Sequence, residues 1–488
     1  MENKRNNRLY QGCVFFALML LTFIYVMHSP LNPWTNGESS ADSSVFKYMA
    51  YAISRGYMPY KDSFDHKGPV IYIINYIAQL LSYYRGTWIL EYVNMLIYIV
   101  FMYKIARLFC SRPISILMVI LCNAQLFNYF EGGNFTEEYA LPCIAISLYI
   151  FIDYFINNQI SKWRLILCGA TFGIVFLLRA NMISVWIVFC IAVLISHLMT
   201  QKKIPWNFLL YFCIGWLSVT VPFMIWLIQG GAFQDFIQDY IVFNMKYSAV
   251  SDDENALWYN RVDAFLFFCR FQMIVVGAVL SIYFIKLKEN MVFHVAYLVY
   301  IILTLYTVAM SGRIYGHYGM ILFPLTIYPI SRVYLLWNDY SKKGLVTLFI
   351  LILVLINYDS LEWNLRKIAN IWNDTHEIVD ITEGQKEILW IIDQNTSWDE
   401  RILVLGNHDF YYVQSQRLAA SRYSYQLPIV NVDSDIRENF IHELVMNQPK
   451  IIVVQKDYAE DVESLFVTID NYELLYVTDE NEEVYRLK

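Results

Sequence analysis

Residues 42–69 read DSSVFKYMAYAISRGYMPYKDSFDHKGP. The stretch gathers Asp42, Arg55, Lys61, Asp62, Asp65, His66 and Lys67 between one long apolar segment and another, VIYIINYIAQLLSYY at 70–84. Ionisable groups beside lipid are costly, so a cluster of them points to function before it points to packing.

Outward from that cluster, the composition fixes the class. Of 488 residues, 57% are hydrophobic and only 16% charged, and the apolar runs reach membrane-spanning length. The chain reads as a multi-pass membrane protein. A formal net charge of -7 argues against nucleic acid as a partner. All eight cysteines lie in or beside apolar segments, which offers neither a disulfide framework nor a CxxC metal site. The start, MENKRNNR followed by an apolar run, lacks a small-residue cleavage site and is read as an uncleaved first span.

Eleven apolar segments are candidate spans, near 13–29, 88–106, 114–127, 139–156, 165–178, 182–199, 207–228, 264–285, 291–310, 318–336 and 344–357. If Lys4, Arg5 and Arg8 are cytoplasmic, alternation puts Lys104/Arg107/Arg112, Lys162/Arg164, Lys202/Lys203, Lys286/Lys288 and Lys342/Lys343 on the same side, as the positive-inside rule requires. Counting 70–84 as a span would reverse every later loop, so it is expected to form a juxtamembrane or re-entrant helix. The odd number then exports the 42–69 loop, EGGNFTEEY, the 229–262 loop, SGRIYGHY and everything after residue 357. The sequence thus predicts an all-α polytopic membrane domain over 1–357 and a small extracytoplasmic α/β domain over 358–488. In the latter, 402–405 and 451–454 read as buried strands, Ile436, Phe440, Ile441, Leu444 and Val445 as one helix face, and YELLYVT with EVYRL as a final hairpin.

Each candidate site residue has a functional and a structural reading. Asp42 suits a general base for an acceptor hydroxyl, or the N-cap of a surface helix over 39–55. Lys67 suits a lipid phosphate, or simple snorkelling to the interface. Asp65 and His66 offer two ligands to a divalent cation but lack metal-site spacing. Arg179 and Arg313, at the outer ends of apolar segments, need anions. A polyprenyl-phosphate ligand satisfies both, and pairing of an arginine with Glu137 or Asp42 is the alternative. Glu137 and Glu138 open a span after two glycines and fit an acceptor or metal site, or a helix N-terminus capped by Thr136 or Asn134. His317 and Tyr318 suit substrate hydrogen bonds or an interfacial aromatic belt. In the tail, ASRYSYQLP offers sugar-stacking aromatics, or packing of the tail.

Together these motifs resemble the membrane-embedded GT-C glycosyltransferases, specifically the bacterial branch related to protein O-mannosyltransferases and aminoarabinose transferases. The carriers are Asp42, G-x-x-P-Y-x-D (Gly56, Pro59, Tyr60, Asp62), F-D-H-K-G-P from Phe64 to Pro69, Thr136-Glu137, L-R-A-N from Leu178 to Asn181, and G-R-x-Y-x-H-Y from Gly312 to Tyr318. The resemblance implies that Asp42 is the catalytic base, that Lys67 with Arg179 or Arg313 holds the lipid phosphate, and that Glu137 shapes the acceptor or metal site. It implies inverting transfer from a polyprenyl-phosphate sugar to a cell-surface glycan, polymer or lipid acceptor. Where the family often has an acidic pair, Ser43 and Ser44 follow Asp42 here, which leaves a divalent cofactor open; Glu38 is the nearest substitute. Two rivals stand beside this reading: a lipid-linked saccharide flippase, which predicts midplane charges and internal repeats, and a non-catalytic cell-envelope assembly protein, which predicts that Asp42 is dispensable.

Overall fold

The structure, a computed structural model, describes residues 2–34, 40–83, 85–249, 254–269, 277, 290–338, 340–374, 381–426, 429, 432, 434–455 and 471–488. Glu38 and most of the expected 264–285 span lie outside them. The described part is mainly helical, with one small sheet near the C-terminus. Two compact units emerge, and neither is a single stretch of chain. Unit 1 comprises 1–34, 88–222 and 251–376; unit 2 comprises 35–87, 223–250 and 377–488.

Unit 1 carries the membrane character. Among the described residues, six helical segments are long and apolar enough to cross a bilayer: Leu9–Val26 within α1 (Glu2–Val26), α4 (Gly86–Arg107), α6 (Thr136–Asn157), α8 (Ser184–Gln201), α9 (Trp206–Gln229) and the Met291–Ala309 helix. Both α4 and α9 run on into unit 2. Two bent pairs bring the total to eight if each counts as one span: Gly316–Leu322 with Pro324–Trp337, at 42°, and Tyr340–Ile356 with Tyr358–Lys367, at 51°. These pairs occupy the segments expected at 318–336 and 344–357. The expected spans at 114–127 and 165–178 form α5 (Arg112–Asn123, 12 residues) and α7 (Lys162–Phe176, 15 residues), both shorter than the roughly 20 residues that a straight span needs. On α9, Leu210, Ile214, Leu217, Val221, Ile225 and Ile228 form an exposed apolar face, as lipid contact requires.

One close approach organises this unit. A Cβ on Gly169 of α7 would meet the Phe212 carbonyl of α9 at 1.9 Å, and one on Gly215 of α9 would meet the Ile166 carbonyl at 1.9 Å. Gly173, one turn beyond Gly169, faces Trp216 and Val219. This is small-residue packing, which lets helix backbones touch where lipid supplies no hydrophobic drive between them.

Unit 2 is built on a five-stranded sheet of order β2-β1-β3-β5-β4. β1 (Arg401–Leu405) and β3 (Ile451–Val454) pair in parallel, Leu403 opposite Ile452. Their unbroken apolar runs fit strands covered on both faces. β2 (Leu418–Ala419) flanks β1, and the β4 (Tyr472–Val477) and β5 (Glu483–Leu487) hairpin closes the other edge. In the Ser434–Asn447 helix, Ile436, Phe440 and Leu444 are buried as expected, whereas Val445 faces outward. Spacing of four keeps the first three on one stripe, from which Val445 is turned by a further 100°.

An early segment is part of this core. Tyr48, Tyr51 and Ala52 of α2 (Ala41–Ser54) join Ile402, Val404, Ile451, Val453 and Val484 in one buried cluster. The Tyr48 hydroxyl accepts the Ala419 N–H at 3.0 Å, and Tyr51 donates to the Gln416 carbonyl at 2.7 Å.

Candidate active site

In unit 2 the 42–69 segment folds into a short helix, a tight loop and the start of a second helix. α2 is capped by Ser40, whose Oγ accepts the Ser43 N–H at 3.2 Å, so Asp42 is not the N-cap. It stands in the first turn instead, where the helix dipole favours a negative charge. The loop takes its shape from the G-x-x-P-Y-x-D residues. Gly56 has φ +87°, the Asp62 carboxylate accepts the Met58 N–H at 2.7 Å, and Tyr60 is held at φ +71°. A left-handed tyrosine is strained, and two bonds fix it: its N–H donates to the Ser63 carbonyl at 2.8 Å, and its hydroxyl to the Lys67 carbonyl at 2.8 Å.

That loop delivers Asp65, His66 and Lys67 to the mouth of α3 (Pro69–Leu81), which at 13 residues is too short to span a bilayer and fits the expected juxtamembrane or re-entrant helix. Lys67 Nζ lies 3.5 Å from Asp42 Oδ2 and 3.0 Å from His66 Nε2. Its side chain is buried, while that of Asp42 is 40% exposed. The Tyr72 hydroxyl is 2.9 Å from both Asp65 Oδ2 and the Lys67 carbonyl. Asp65 Oδ1 accepts the His66 N–H at 2.7 Å and the Tyr425 hydroxyl at 2.9 Å. Burial pushes the Asp65 carboxyl above its ordinary range and the Asp42 charge adds to this; Lys67 and the two phenols oppose it. Among the described residues, no three His, Cys, Asp or Glu side chains stand together as a metal site.

Around this cluster, Asn244, Phe243, Tyr247 and Asp239 were not singled out in the sequence, whereas Arg422 lies in ASRYSYQLP, where stacking on sugars or packing of the tail was expected. Asn244 donates to the His66 carbonyl at 2.6 Å, and the Phe243 and Tyr247 rings pack against the His66 ring at tilted angles. Arg422 donates to the Tyr60 carbonyl at 2.7 Å and pairs with Asp239 in the π-helical turn Ile237–Val242. Asp409 is wholly buried; its Oδ2 accepts from Ser424 at 2.6 Å and its N–H donates to Ser44 Oγ at 2.9 Å. Burial pushes the Asp409 carboxyl up to about 7, with a contribution from the Asp65 charge.

Unit 1 assembles the other expected residues. Arg179 pairs with Glu137 and stacks over the Tyr318 ring at 4.2 Å, so the ion-pair alternative is the arrangement observed. Thr136 Oγ1 donates to Glu137 at 2.8 Å, and Glu138 accepts the Phe135 N–H at 3.1 Å. The cap of α6 is therefore Phe135 rather than Thr136 or Asn134. Glu91 stands beside Glu138 in this buried corner and accepts from Ser29 at 2.9 Å and from the Asn134 N–H at 2.7 Å. His317 stacks on Phe135 at 3.9 Å and bonds Glu131 at 2.5 Å. Burial tends to raise the Glu131 carboxyl, but the His317 hydrogen bond and charge, with the Gly316 and His317 N–H groups, hold it below its ordinary range. Arg313 is partly exposed, and its N–H donates to Ser311 Oγ at 3.4 Å.

The family model described as "Putative competence-induced protein Ccs4 N-terminal domain" matches residues 3–336. The chain belongs to that family. No curated protein matches it significantly in sequence. Among solved structures it resembles ArnT from Cupriavidus metallidurans bound to undecaprenyl phosphate, with a TM-score of 0.59 at 12% identity over 97% of both chains. It also resembles the archaeal oligosaccharyltransferase AglB from Archaeoglobus fulgidus in complex with an inhibitory peptide and a dolichol-phosphate, with a TM-score of 0.51 at 11% identity over 98% of this chain and 75% of that one. The fold is thus that of the GT-C membrane glycosyltransferases, as the sequence motifs implied, in a multi-pass membrane protein.

Proposed function

We propose that this chain transfers a sugar from a polyprenyl-phosphate donor to a cell-surface glycan, polymer or lipid acceptor on the outer face of the membrane. The observation that carries the reading is the Asp42–Lys67 pair, a half-open carboxylate 3.5 Å from a buried ammonium. Asp42 takes the proton of the acceptor hydroxyl, whose oxygen forms the new bond to the anomeric carbon with inversion. The bond from that carbon to the phosphate oxygen breaks, and its electron pair leaves with the polyprenyl phosphate. Lys67 stabilises the charge that grows there, so no separate general acid is needed. Solved structures of this fold with undecaprenyl phosphate or dolichol-phosphate bound support a lipid-phosphate donor.

Arg179 and Arg313 are assigned to the phosphate on their sequence pattern, and at Arg179 the phosphate has to compete with Glu137. Glu137, Glu138, His317 and Tyr318 are assigned to the acceptor side, together with a divalent cation if one is used. The sidedness, with a cytoplasmic N-terminus and residues 358–488 exported, rests on the positive-inside pattern.

The test is mass spectrometry of surface polymers and lipid-linked sugars from cells carrying the wild type, a deletion, or Asp42→Asn at matched expression. Loss of one glycosyl substituent with accumulation of a polyprenyl-phosphate sugar, in deletion and Asp42→Asn alike, is the expected result. Full rescue of the deletion by Asp42→Asn would reject the mechanism.

A further inference from the structure

Residue 425 enters the 42–69 cluster from the far end of the chain. Its contacts lie in a row of hydrogen bonds whose directions follow from the Lys67 ammonium at one end and the Asp65 carboxylate at the other. Lys67 Nζ is 3.0 Å from His66 Nε2. An ammonium has donors only, so Nε2 must accept, and the ring proton of a neutral His66 sits on Nδ1. Nδ1 lies 3.2 Å from the Tyr425 hydroxyl, which therefore accepts there. The same hydroxyl donates its own hydrogen to Asp65 Oδ1 at 2.9 Å. Tyr425 is buried, and desolvation together with the Asp65 carboxylate pushes its phenol well above the ordinary range, so it stays a donor. Asp65 itself is anchored by the His66 N–H and by Tyr72.

We infer that Tyr425 is a positioning residue for Lys67, selecting the Nδ1–H form of His66 so that Nε2 holds the ammonium beside Asp42. The opposite tautomer would point an N–H at the ammonium, donor against donor, and push Lys67 away. A lysine is otherwise a flexible point charge, and the hydrogen bond to Nε2 sets where that charge waits. The tail thus contributes a working part of the lysine site, a role beyond packing or acceptor choice. The inference rests on the reading of Lys67 as a phosphate-binding residue.

The experiment compares the full-length wild type with Tyr425→Phe, Lys67→Ala and Tyr48→Phe, purified in detergent. Tyr48 is an equally buried phenol bonded to Ala419 and has no bond to His66, so its variant reports the cost of losing any hydroxyl in the tail core. Two readouts are taken: affinity for undecaprenyl phosphate, and 15N shifts of the His66 ring assigned by its disappearance in His66→Gln. The expected result is Nδ1–H in wild type and Tyr48→Phe, a shift toward Nε2–H in Tyr425→Phe, and a five- to twentyfold loss of lipid-phosphate affinity in Tyr425→Phe but not in Tyr48→Phe. Unchanged tautomer and affinity in Tyr425→Phe, with binding lost in Lys67→Ala, would overturn the inference. Failure of the wild type to bind the lipid phosphate would overturn the polyprenyl-phosphate reading and the functional half of the inference. The ring shifts would then still decide whether Tyr425 sets the His66 tautomer.

Discussion

A single carboxyl shows how burial at a residue turns into pH dependence of the whole. Asp409 is raised from an ordinary 3.8 to about 7 because it is wholly desolvated. The folded state therefore holds a proton that the unfolded chain releases first. Its contribution to stability is complete below pH 4 and falls away as pH rises to about 7, by roughly 4 kcal/mol for the full shift. Asp409→Asn keeps the shape and removes the titration. Melting in detergent at pH 5 and pH 8 should show the wild type losing stability between the two and the variant losing clearly less; parallel losses would refute the assignment. In the sequence, GNHDFYY after a strand could be misread as a phosphate or metal loop, and its burial shows only through Ser44, 365 positions away, and Ser424, 15 positions on. Asp42 and Lys67 were legible for the opposite reason, since charges beside apolar segments stand out without knowledge of their partners.

At the scale of elements, α7 and α9 meet through Gly169, Gly173 and Gly215, where added methyl groups run into backbone. Gly169→Leu or Gly215→Leu should separate the pair, at a cost on the order of 1–3 kcal/mol or more given that the obstruction is main chain. Size-exclusion profiles and melting in detergent provide the check. Gly344→Leu is the control, because nothing lies within 4 Å of its Cβ position. The spacing GATFG is visible in the sequence, yet hydropathy reads it only as part of a span. Hydropathy found the long helices and the buried runs ILVL and IIVV because each run is apolar over its full length. It did not separate α5 and α7 from full spans, since a 12- or 15-residue apolar helix and a crossing one differ in length and not in composition.

At the scale of the molecule, unit 2 draws its core from both ends of the chain. Removing 377–488 should therefore do more than delete an accessory domain: α2 would lose the cluster around Tyr48 and Tyr51, and Asp65 would lose Tyr425. Binding of undecaprenyl phosphate should be abolished in the truncated protein, with limited proteolysis showing new cleavage within 42–69. Retained binding would count against the shared core. The sequence suggested a boundary at 357 because charge rises there, and composition carries no information on which earlier loop a later sheet will take in.

The 360 positions between Asp65 and Tyr425 also put a clock on the protein. A ribosome adding roughly 5–20 residues per second needs on the order of twenty to seventy seconds to travel from one to the other. During that interval the aspartate, histidine and lysine have been made while the phenol that orders them has not. The newborn chain thus lacks the Tyr425 hydrogen bond to Asp65 until residue 425 has been made, and a copy terminated before that position could never form it.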